Sequence, residues 1–250
     1  MPTATFKVFR GDSVNGTFKD YSMEVSEGMV VLDAILQIQA KQANDLAVRW
    51  NCKAGHCGSC SAEVNGIPKL MCMARLSDLP LDKPVLVQPI KAFPCVKDLV
   101  TDVSWNFSVR KKIKKFKPRP PDAADGTWRM AQKDVDRVQE FRKCIECFLC
   151  QNVCHVLREH QLYDEFIGPA FFVHIAALEM HPLDTEDRRE QLKEANGIGY
   201  CNITKCCTNV CPQDIKITDN AIIPLKERVA DKYYDPIKRI FRMFGSKNGK

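Results

Sequence analysis

Apolar and polar positions alternate in short runs over about the first 100 residues, a pattern typical of β-strands with one buried face. Residues 5–10, 21–25 and 85–90 are three such runs. Asn65-Gly66, which separates two further apolar positions, predicts a tight hairpin turn. This part of the chain therefore predicts a β-rich domain.

A helical period appears once in this first part and repeatedly after about residue 127. The helix of the first part follows Gly28, and the residues on its predicted face are Leu32, Ile35, Leu36 and Gln39. Further helices are predicted around residues 135–141, over residues 169–178 and over the charged residues 184–195. Their predicted core residues include Phe171, Phe172, Ile175 and Leu178. The second part therefore predicts a helical domain.

A basic, proline-rich stretch lies between the two patterns and predicts the domain boundary. The expected division is a first domain over residues 1–109, a linker over 110–126 and a helical domain over 127–250. The bases of the linker are Arg110, Lys111, Lys112, Lys114, Lys115, Lys117 and Arg119. Such a cluster suits nucleic acid, anionic lipid or an acidic protein, or is a solvated spacer.

The composition of the 250 residues, 45% hydrophobic and 27% charged with a net charge of +6, is that of a globular chain. No apolar run approaches the roughly 20 residues of a membrane span. The N-terminus lacks the apolar core of a signal peptide, so export by the general route is not expected. Thirteen cysteines in such a chain favour metal or cluster binding over disulfides.

The first cysteine set follows a C-x4-C-x2-C pattern with a fourth cysteine downstream, and consists of Cys52, Cys57, Cys60 and Cys72. This spacing is that of plant-type [2Fe–2S] proteins, and it predicts a β-grasp ferredoxin domain. Gly55 and Gly58 allow the loop to curl so that backbone N–H groups point at sulfur. Zinc is the alternative, although zinc sites more often use paired C-x2-C knuckles.

The second set, a C-x2-C-x2-C-x3-C run, is typical of two-cluster ferredoxins and consists of Cys144, Cys147, Cys150 and Cys154. In such runs the fourth cysteine binds the other cluster. Read back from Cys211-Pro212 at the same offsets, the third set has Cys207, Thr204 and Cys201.

Pairing these two runs crosswise assigns four thiolates to a [4Fe–4S] cluster: Cys144, Cys147, Cys150 and Cys211. Only Cys154, Cys201 and Cys207 remain for the other cluster, which predicts [3Fe–4S] with Thr204 at the vacant corner, since threonine is a poor ligand for such iron. Cys206 and Cys95 lie outside the ligand offsets and are interpreted as structural, Cys206 as a small buried residue.

Other chemistry is not indicated by the sequence. Gly197-Ile198-Gly199 is no phosphate loop, and no nucleophile elbow or pair of catalytic carboxylates is present. The five histidines are scattered along the chain. We expect a chain that moves electrons through three clusters and has no catalytic residue of its own.

Two ferredoxin-like domains with these cysteines resemble the iron–sulfur subunit of succinate dehydrogenase and fumarate reductase. The resemblance extends to Arg49-Trp50-Asn51 before Cys52, to residues 97–102 and to Cys211-Pro212. It implies a subunit of a respiratory succinate:quinone oxidoreductase of the tricarboxylic acid cycle. Electrons would pass from FAD in a flavoprotein subunit through [2Fe–2S], [4Fe–4S] and [3Fe–4S] to a membrane quinone. A membrane anchor, often with haem b, would complete the complex, and nucleic acid is not an expected partner.

Three positions depart from the family pattern. His155 stands where many members have proline, and Glu159 and Asn202 stand where ubiquinone-binding members carry tryptophan and histidine. The quinone contacts therefore cannot be transferred, and we expect a lower-potential quinone such as menaquinone. The expected location is peripheral, on the cytoplasmic face of a bacterial plasma membrane, with the basic residues 238–250 near lipid, near the anchor or simply solvated.

Alternatives remain open at this stage. The same electron chain serves a fumarate reductase working in the opposite direction. The iron–sulfur subunit of another flavoenzyme, of glycolate or heterodisulfide type, is a second alternative. A structural zinc protein would be colourless, whereas an iron–sulfur protein is brown.

Overall fold

The structure is a computed structural model and describes residues 3–235, so the basic residues 238–250 lie outside the described part. Its first half contains a five-stranded mixed sheet, with β1 (Thr3–Gly11), β2 (Gly16–Glu24), β3 (Ser61–Val64), β4 (Ile67–Leu70) and β5 (Val85–Gln88). The strand order is β2-β1-β5-β3-β4, in which β1 and β5 run parallel and the other pairs antiparallel. Helix α1 (Val31–Lys41) buries its apolar face, including Leu32, Ile35 and Ile38.

The predicted hairpin is the turn between β3 and β4. Asn65 and Gly66 have φ angles of 50° and 79°, and they connect the paired residues Val64 and Ile67. Left-handed φ at both central positions is the requirement of the hairpin turn whose twist matches that of the strands, and Asn-Gly meets it with little strain. The hairpin matters for the site because β3 begins directly after Cys60.

The rest of the described chain is mainly helical, after a small ribbon of β6 (Cys95–Lys97) and β7 (Val100–Thr101). The helices are α2 (Ser104–Lys112), α3 (Gln132–Gln139), α4 (Leu149–Asn152), α5 (His155–Arg158), α6 (Pro169–Glu179), α7 (Arg189–Lys193), α8 (Cys206–Asn209) and α9 (Ile223–Tyr233). A π-helical segment, Ile217–Ile222, leads into α9. Helix α6 lies in the core as predicted, with Phe172 and Ile175 fully buried. Over residues 3–235, no helix combines the length and apolar character of a membrane span.

The helix predicted over residues 184–195 is wrong in its first part, because regular helix covers only Arg189–Lys193. The Asp184 carboxylate accepts hydrogen bonds from the backbone N–H groups of Lys117 and Glu186. The Asp187 carboxylate accepts from the N–H of Arg189, where the helix begins. Short acidic side chains compete with helical hydrogen bonds in this way, which makes them favourable in turns and at helix starts.

The first part of the basic stretch 110–126 is held against the helical half by hydrogen bonds to its backbone. The Arg188 guanidinium, fully buried, donates to the carbonyls of Lys114 and Lys115 at 2.9 and 2.8 Å. The backbone N–H of Thr185 donates to the Lys117 carbonyl at 2.9 Å. The lysine side chains remain solvated, but the backbone is not that of a free spacer.

The two halves share one continuous hydrophobic core. Phe93 of the first half packs edge-on against Phe148, with ring centroids 6.3 Å apart. Trp105 packs in the same way against Tyr163 at 5.1 Å. This α+β arrangement, a mixed sheet followed by helices, confirms the predicted fold class and brings the cysteine-bearing segments of both halves to one boundary.

Candidate iron–sulfur sites

The first cysteine loop is curled by three residues with left-handed backbone, Lys53, Gly55 and Gly58, whose φ angles are 56°, 72° and 70°. As a result, the backbone N–H groups of Ala54 and His56 donate to the Sγ of Cys52 at 3.4 and 3.3 Å. Amides directed at sulfur stabilise negative charge on a thiolate. The loop therefore has the local geometry that the sequence predicted for a cluster cradle.

In the first set, the thiols of Cys60 and Cys57 have pKa values that neighbouring groups shift. Burial raises the pKa of Cys60, and the neighbouring thiols of Cys72 and Cys57 raise it further. For Cys57, burial opposes ionisation, but hydrogen bonds with Cys52 and Ser59 outweigh it and lower the pKa. Cys60 and Cys72 are buried whereas Cys52 is exposed, so the set lies at the surface on one side.

The four cysteines predicted to bind [4Fe–4S] line one small cavity: Cys144, Cys147, Cys150 and Cys211. Apolar residues, among them Val173 and Ile217, close it. Burial raises the pKa of Cys147 to about 12, and the thiols of Cys144 and Cys211 add to the effect. Thiolates in such surroundings need a bound cation to stay ionised, so this donor set fits an iron–sulfur cube.

The three cysteines predicted to bind the third cluster also come together. Burial raises the pKa of Cys154 to about 11, and the charges of Cys207 and Cys201 contribute. Burial and Cys201 likewise raise the pKa of Cys207. The Thr218 hydroxyl lies 3.5 Å from the Cys207 sulfur. Three converging thiols fit a cube with one corner lacking iron.

The segments that begin at Cys144 and Cys201 have the same backbone conformation. Left-handed residues occur two and four positions after each first cysteine: Glu146 and Phe148 with φ of 52° and 60°, Ile203 and Lys205 both with 63°. Short helices, α4 and α8, then start at corresponding residues. Thr204 therefore occupies the backbone position that Cys147 has in the first segment.

Cys206 is exposed, so its interpretation as a small buried residue is wrong. Its sulfur lies 3.5 Å from the Thr204 hydroxyl oxygen, at the surface of the third set. Helix α8 begins at Cys206, and the turn that carries Cys207 inward directs the preceding side chain outward. Cys95 is half-buried and donates weakly to the Asp98 carbonyl at 3.5 Å.

The two positions that depart from the ubiquinone pattern, Glu159 and Asn202, are both exposed. His155 is half-buried and its ring centroid lies 6.1 Å from that of His160. Among residues 3–235, no group of three or more His, Cys, Asp or Glu side chains has the geometry of a site for a single metal ion.

Sequence reasoning missed a buried carboxylate beside the sites. Glu63 on β3 is fully buried and accepts hydrogen bonds from the side chains of Gln88, Asn152 and Arg158. From sequence alone, an acidic residue in a short strand is expected to face solvent. The partners that reverse this, Asn152 and Arg158, lie far away in sequence, so no local signal could have found it.

The chain matches two family models. Residues 5–108 match the 2Fe-2S iron-sulfur cluster binding domain, and residues 140–215 match the 4Fe-4S dicluster domain. These matches cover the two parts of the chain for which the sequence predicted a [2Fe–2S] cluster and a [4Fe–4S] cluster.

Relatives along most of the chain include the fumarate reductase iron-sulfur subunit of Mycobacterium tuberculosis, 34% identical over 80% of this chain and 81% of the relative. The succinate dehydrogenase iron-sulfur subunit of Bacillus subtilis is 29% identical over 86% of this chain and 88% of its own length. A chain of the Mycobacterium smegmatis Sdh1 complex in the apo form is 59% identical, with a TM-score of 0.90 over 94% of this chain and 98% of its own. The protein belongs to the family of iron–sulfur subunits of succinate dehydrogenases and fumarate reductases, as its cysteine pattern predicted.

Proposed function

We propose that this chain is the electron-transfer subunit of a succinate dehydrogenase that reduces a membrane quinone, with menaquinone the expected acceptor. The observation that carries the proposal is the contiguity of the three thiol sets. Gly58 of the first loop abuts Cys147 of the second set, and Cys150 of the second set interacts electrostatically with Cys207 of the third. Single electrons can pass from site to site only if neighbouring sites lie close together. The three thiol sets form such a continuous series across both halves of the chain.

The ligand assignment follows the sequence. The first domain, residues 1–109, would hold [2Fe–2S] through Cys52, Cys57, Cys60 and Cys72. The helical domain, residues 127–250, would hold [4Fe–4S] through Cys144, Cys147, Cys150 and Cys211, and [3Fe–4S] through Cys154, Cys201 and Cys207. Bound iron–sulfur groups would supply reversible one-electron oxidation and reduction. The protein supplies thiolate charge, amide hydrogen bonds and an apolar enclosure.

Two faces of the chain would meet partners. Trp50 and Met73 are exposed beside the first cysteine loop, where we place the FAD-bearing subunit that oxidises succinate. Tyr200 and Ile203 are exposed beside the third set, where we place the membrane anchor, its quinone and any haem b. The proposed location is peripheral, on the cytoplasmic face of a bacterial plasma membrane.

Fumarate reduction is the second candidate, because the Mycobacterium tuberculosis relative carries that name. The chain of thiol sets serves either direction, and the potentials of the clusters and the quinone decide between them. Comparison of succinate oxidation and fumarate reduction by the same purified complex, with menaquinone and ubiquinone analogues, separates the candidates.

The complex is to be purified anaerobically with its co-expressed partners and analysed for flavin, quinone, iron and sulfide. We expect a brown preparation with EPR signals for three distinct clusters, of which succinate should reduce those of higher potential. A colourless, zinc-loaded chain would contradict the iron–sulfur assignment. A complex with flavin but no reduction by succinate would contradict the proposed dehydrogenase.

A further inference from the structure

The first two cysteine sets are in direct contact through Gly58. A Cβ atom added at Gly58 would lie 2.6 Å from the Cys147 Cα and 2.9 Å from its Cβ. Real Cβ atoms do not approach backbone so closely, so a side chain at this position would force the two loops apart. Glycine is therefore required here for a close approach across the two domains as well as for its φ of 70°.

A side chain of the first domain reinforces the contact. The Ser61 Oγ lies 2.9 Å from the Gly58 carbonyl oxygen and 2.9 Å from the Cys147 carbonyl oxygen. A hydroxyl has one proton to donate, and the two carbonyls share it. The Ser61 hydroxyl therefore contacts both the first cysteine loop and the segment that carries Cys147.

A further hydrogen bond joins the same loop to the segment of Cys211, the fourth predicted ligand of the [4Fe–4S] cluster. The Gln213 side chain, two residues after Cys211, donates to the Gly55 carbonyl at 3.0 Å. The first loop is therefore held against the predicted [4Fe–4S] ligand segments at Gly55 as well as at Gly58.

We propose that Gly58 and Ser61 are positioning residues that set the separation of the first two clusters and thereby the rate of electron transfer between them. The inference rests on the proposed function. In the step concerned, one electron leaves the reduced group held by the first set and reduces the group held by the second, with no bond broken and no proton moved. Tunnelling rates fall steeply with distance, so even a small outward shift of the loop slows this step.

Gly58→Ala tests the proposal, and Gly28→Ala is its control for backbone strain. Both glycines have left-handed φ, 70° and 81°, so alanine strains the backbone at both positions. A Cβ at Gly28, which lies in an exposed turn before α1, would meet no atom within 4 Å. An effect that Gly58→Ala has and Gly28→Ala lacks therefore comes from the contact with Cys147.

In the purified complex, we expect Gly58→Ala to retain all three cluster signals with unchanged midpoint potentials. After reduction with dithionite, the magnetic interaction between the first and second clusters should weaken. Freeze-quench EPR after mixing with succinate should show the third cluster, which receives its electron through the second, reduced several-fold more slowly. Gly28→Ala should match the wild type. A Gly58→Ala complex with unchanged interaction and rate would overturn the inference.

If the Gly58→Ala variant fails to assemble the first cluster, the Ser61→Ala variant tests the proposal instead. It removes the shared hydroxyl without adding an atom, and a weaker magnetic interaction with slower transfer supports the inference, whereas wild-type values overturn it. A wild-type complex that lacks cluster signals or is not reduced by succinate would instead contradict the proposed function, so the two failures are distinguishable.

Discussion

Arg158 donates a hydrogen bond of 2.9 Å to the carboxylate of Glu63, which is fully buried on a strand of the first domain. Arg158 ends α5, four residues after Cys154, and Glu63 lies three residues after Cys60. The same carboxylate accepts from Asn152, between Cys150 and Cys154. One ion pair therefore links the first domain to the segment that carries Cys150 and Cys154, predicted ligands of the other two clusters.

Glu63→Ala should destabilise the complex by about 3 kcal/mol, because it leaves Arg158 and Asn152 without their buried acceptor. Thermal unfolding, followed by loss of cluster absorbance, measures the effect. Glu27→Ala, at an exposed turn, is the control and should change stability by less than about 0.5 kcal/mol. Equal midpoint temperatures of unfolding for the two variants would show that the hydrogen bonds of Glu63 contribute no net stability.

Arg188→Met should release residues 114–117 from the helical half. It removes a fully buried guanidinium and leaves the buried carboxylates of Asp184 and Glu179 uncompensated, at a cost of about 3–5 kcal/mol. Limited trypsin digestion should then cleave after Lys114 or Lys115 much faster than in the wild type. Arg189→Met breaks only the more exposed pair with Asp187 and should digest like the wild type.

Cys206→Ser and Cys95→Ser should leave all three clusters in place, since neither residue lies at a ligand offset. Cys207→Ser, one position along the chain from the exposed Cys206, should abolish the third cluster while the other two remain. Iron content and EPR of the three complexes distinguish these outcomes. Loss of any cluster signal in either of the first two variants would mean that the assignment of the cysteines is in the wrong register.

Thr204→Cys should convert the proposed [3Fe–4S] group into [4Fe–4S], because Thr204 has the backbone position of the ligand Cys147. An added thiolate favours the oxidised state, so the midpoint potential should fall and quinone reduction should slow. Succinate oxidation with an artificial acceptor at the flavin should change little. The measurement is EPR of the air-oxidised complex, in which the [3Fe–4S] signal should disappear.

Two further variants make this test specific. Thr204→Ser changes the same side chain without adding a thiol and should keep the signal. Because the Cys206 sulfur lies 3.5 Å from the Thr204 hydroxyl, the Cys substitution is to be repeated with Cys206→Ser. If the signal persists in that double variant, the three-ligand interpretation of the third set is wrong.

The sequence by itself determined the features that depend on near neighbours in the chain. Asn65-Gly66 set a hairpin because two adjacent residues have the φ values that its twist requires, and the apolar stretch that follows Pro169 marked a buried helix. The short spacings between cysteines predicted curled loops, because cysteines only a few residues apart can place their thiols around one small volume only if the backbone between them turns sharply. The offset between the runs also predicted which side chains would line one cavity, although their role as ligands stays a prediction.

Tertiary structure alone decided the contacts that join segments distant in sequence. A glutamate in a short strand became a buried ion-pair partner, and a charged stretch ending at Arg188 became a loop, because their partners come from elsewhere in the fold. The approach of Gly58 to Cys147 depends on how the two domains pack. Local propensity and spacing carry no information about such pairs, since their free energy arises only when folding brings them together and removes water from between them.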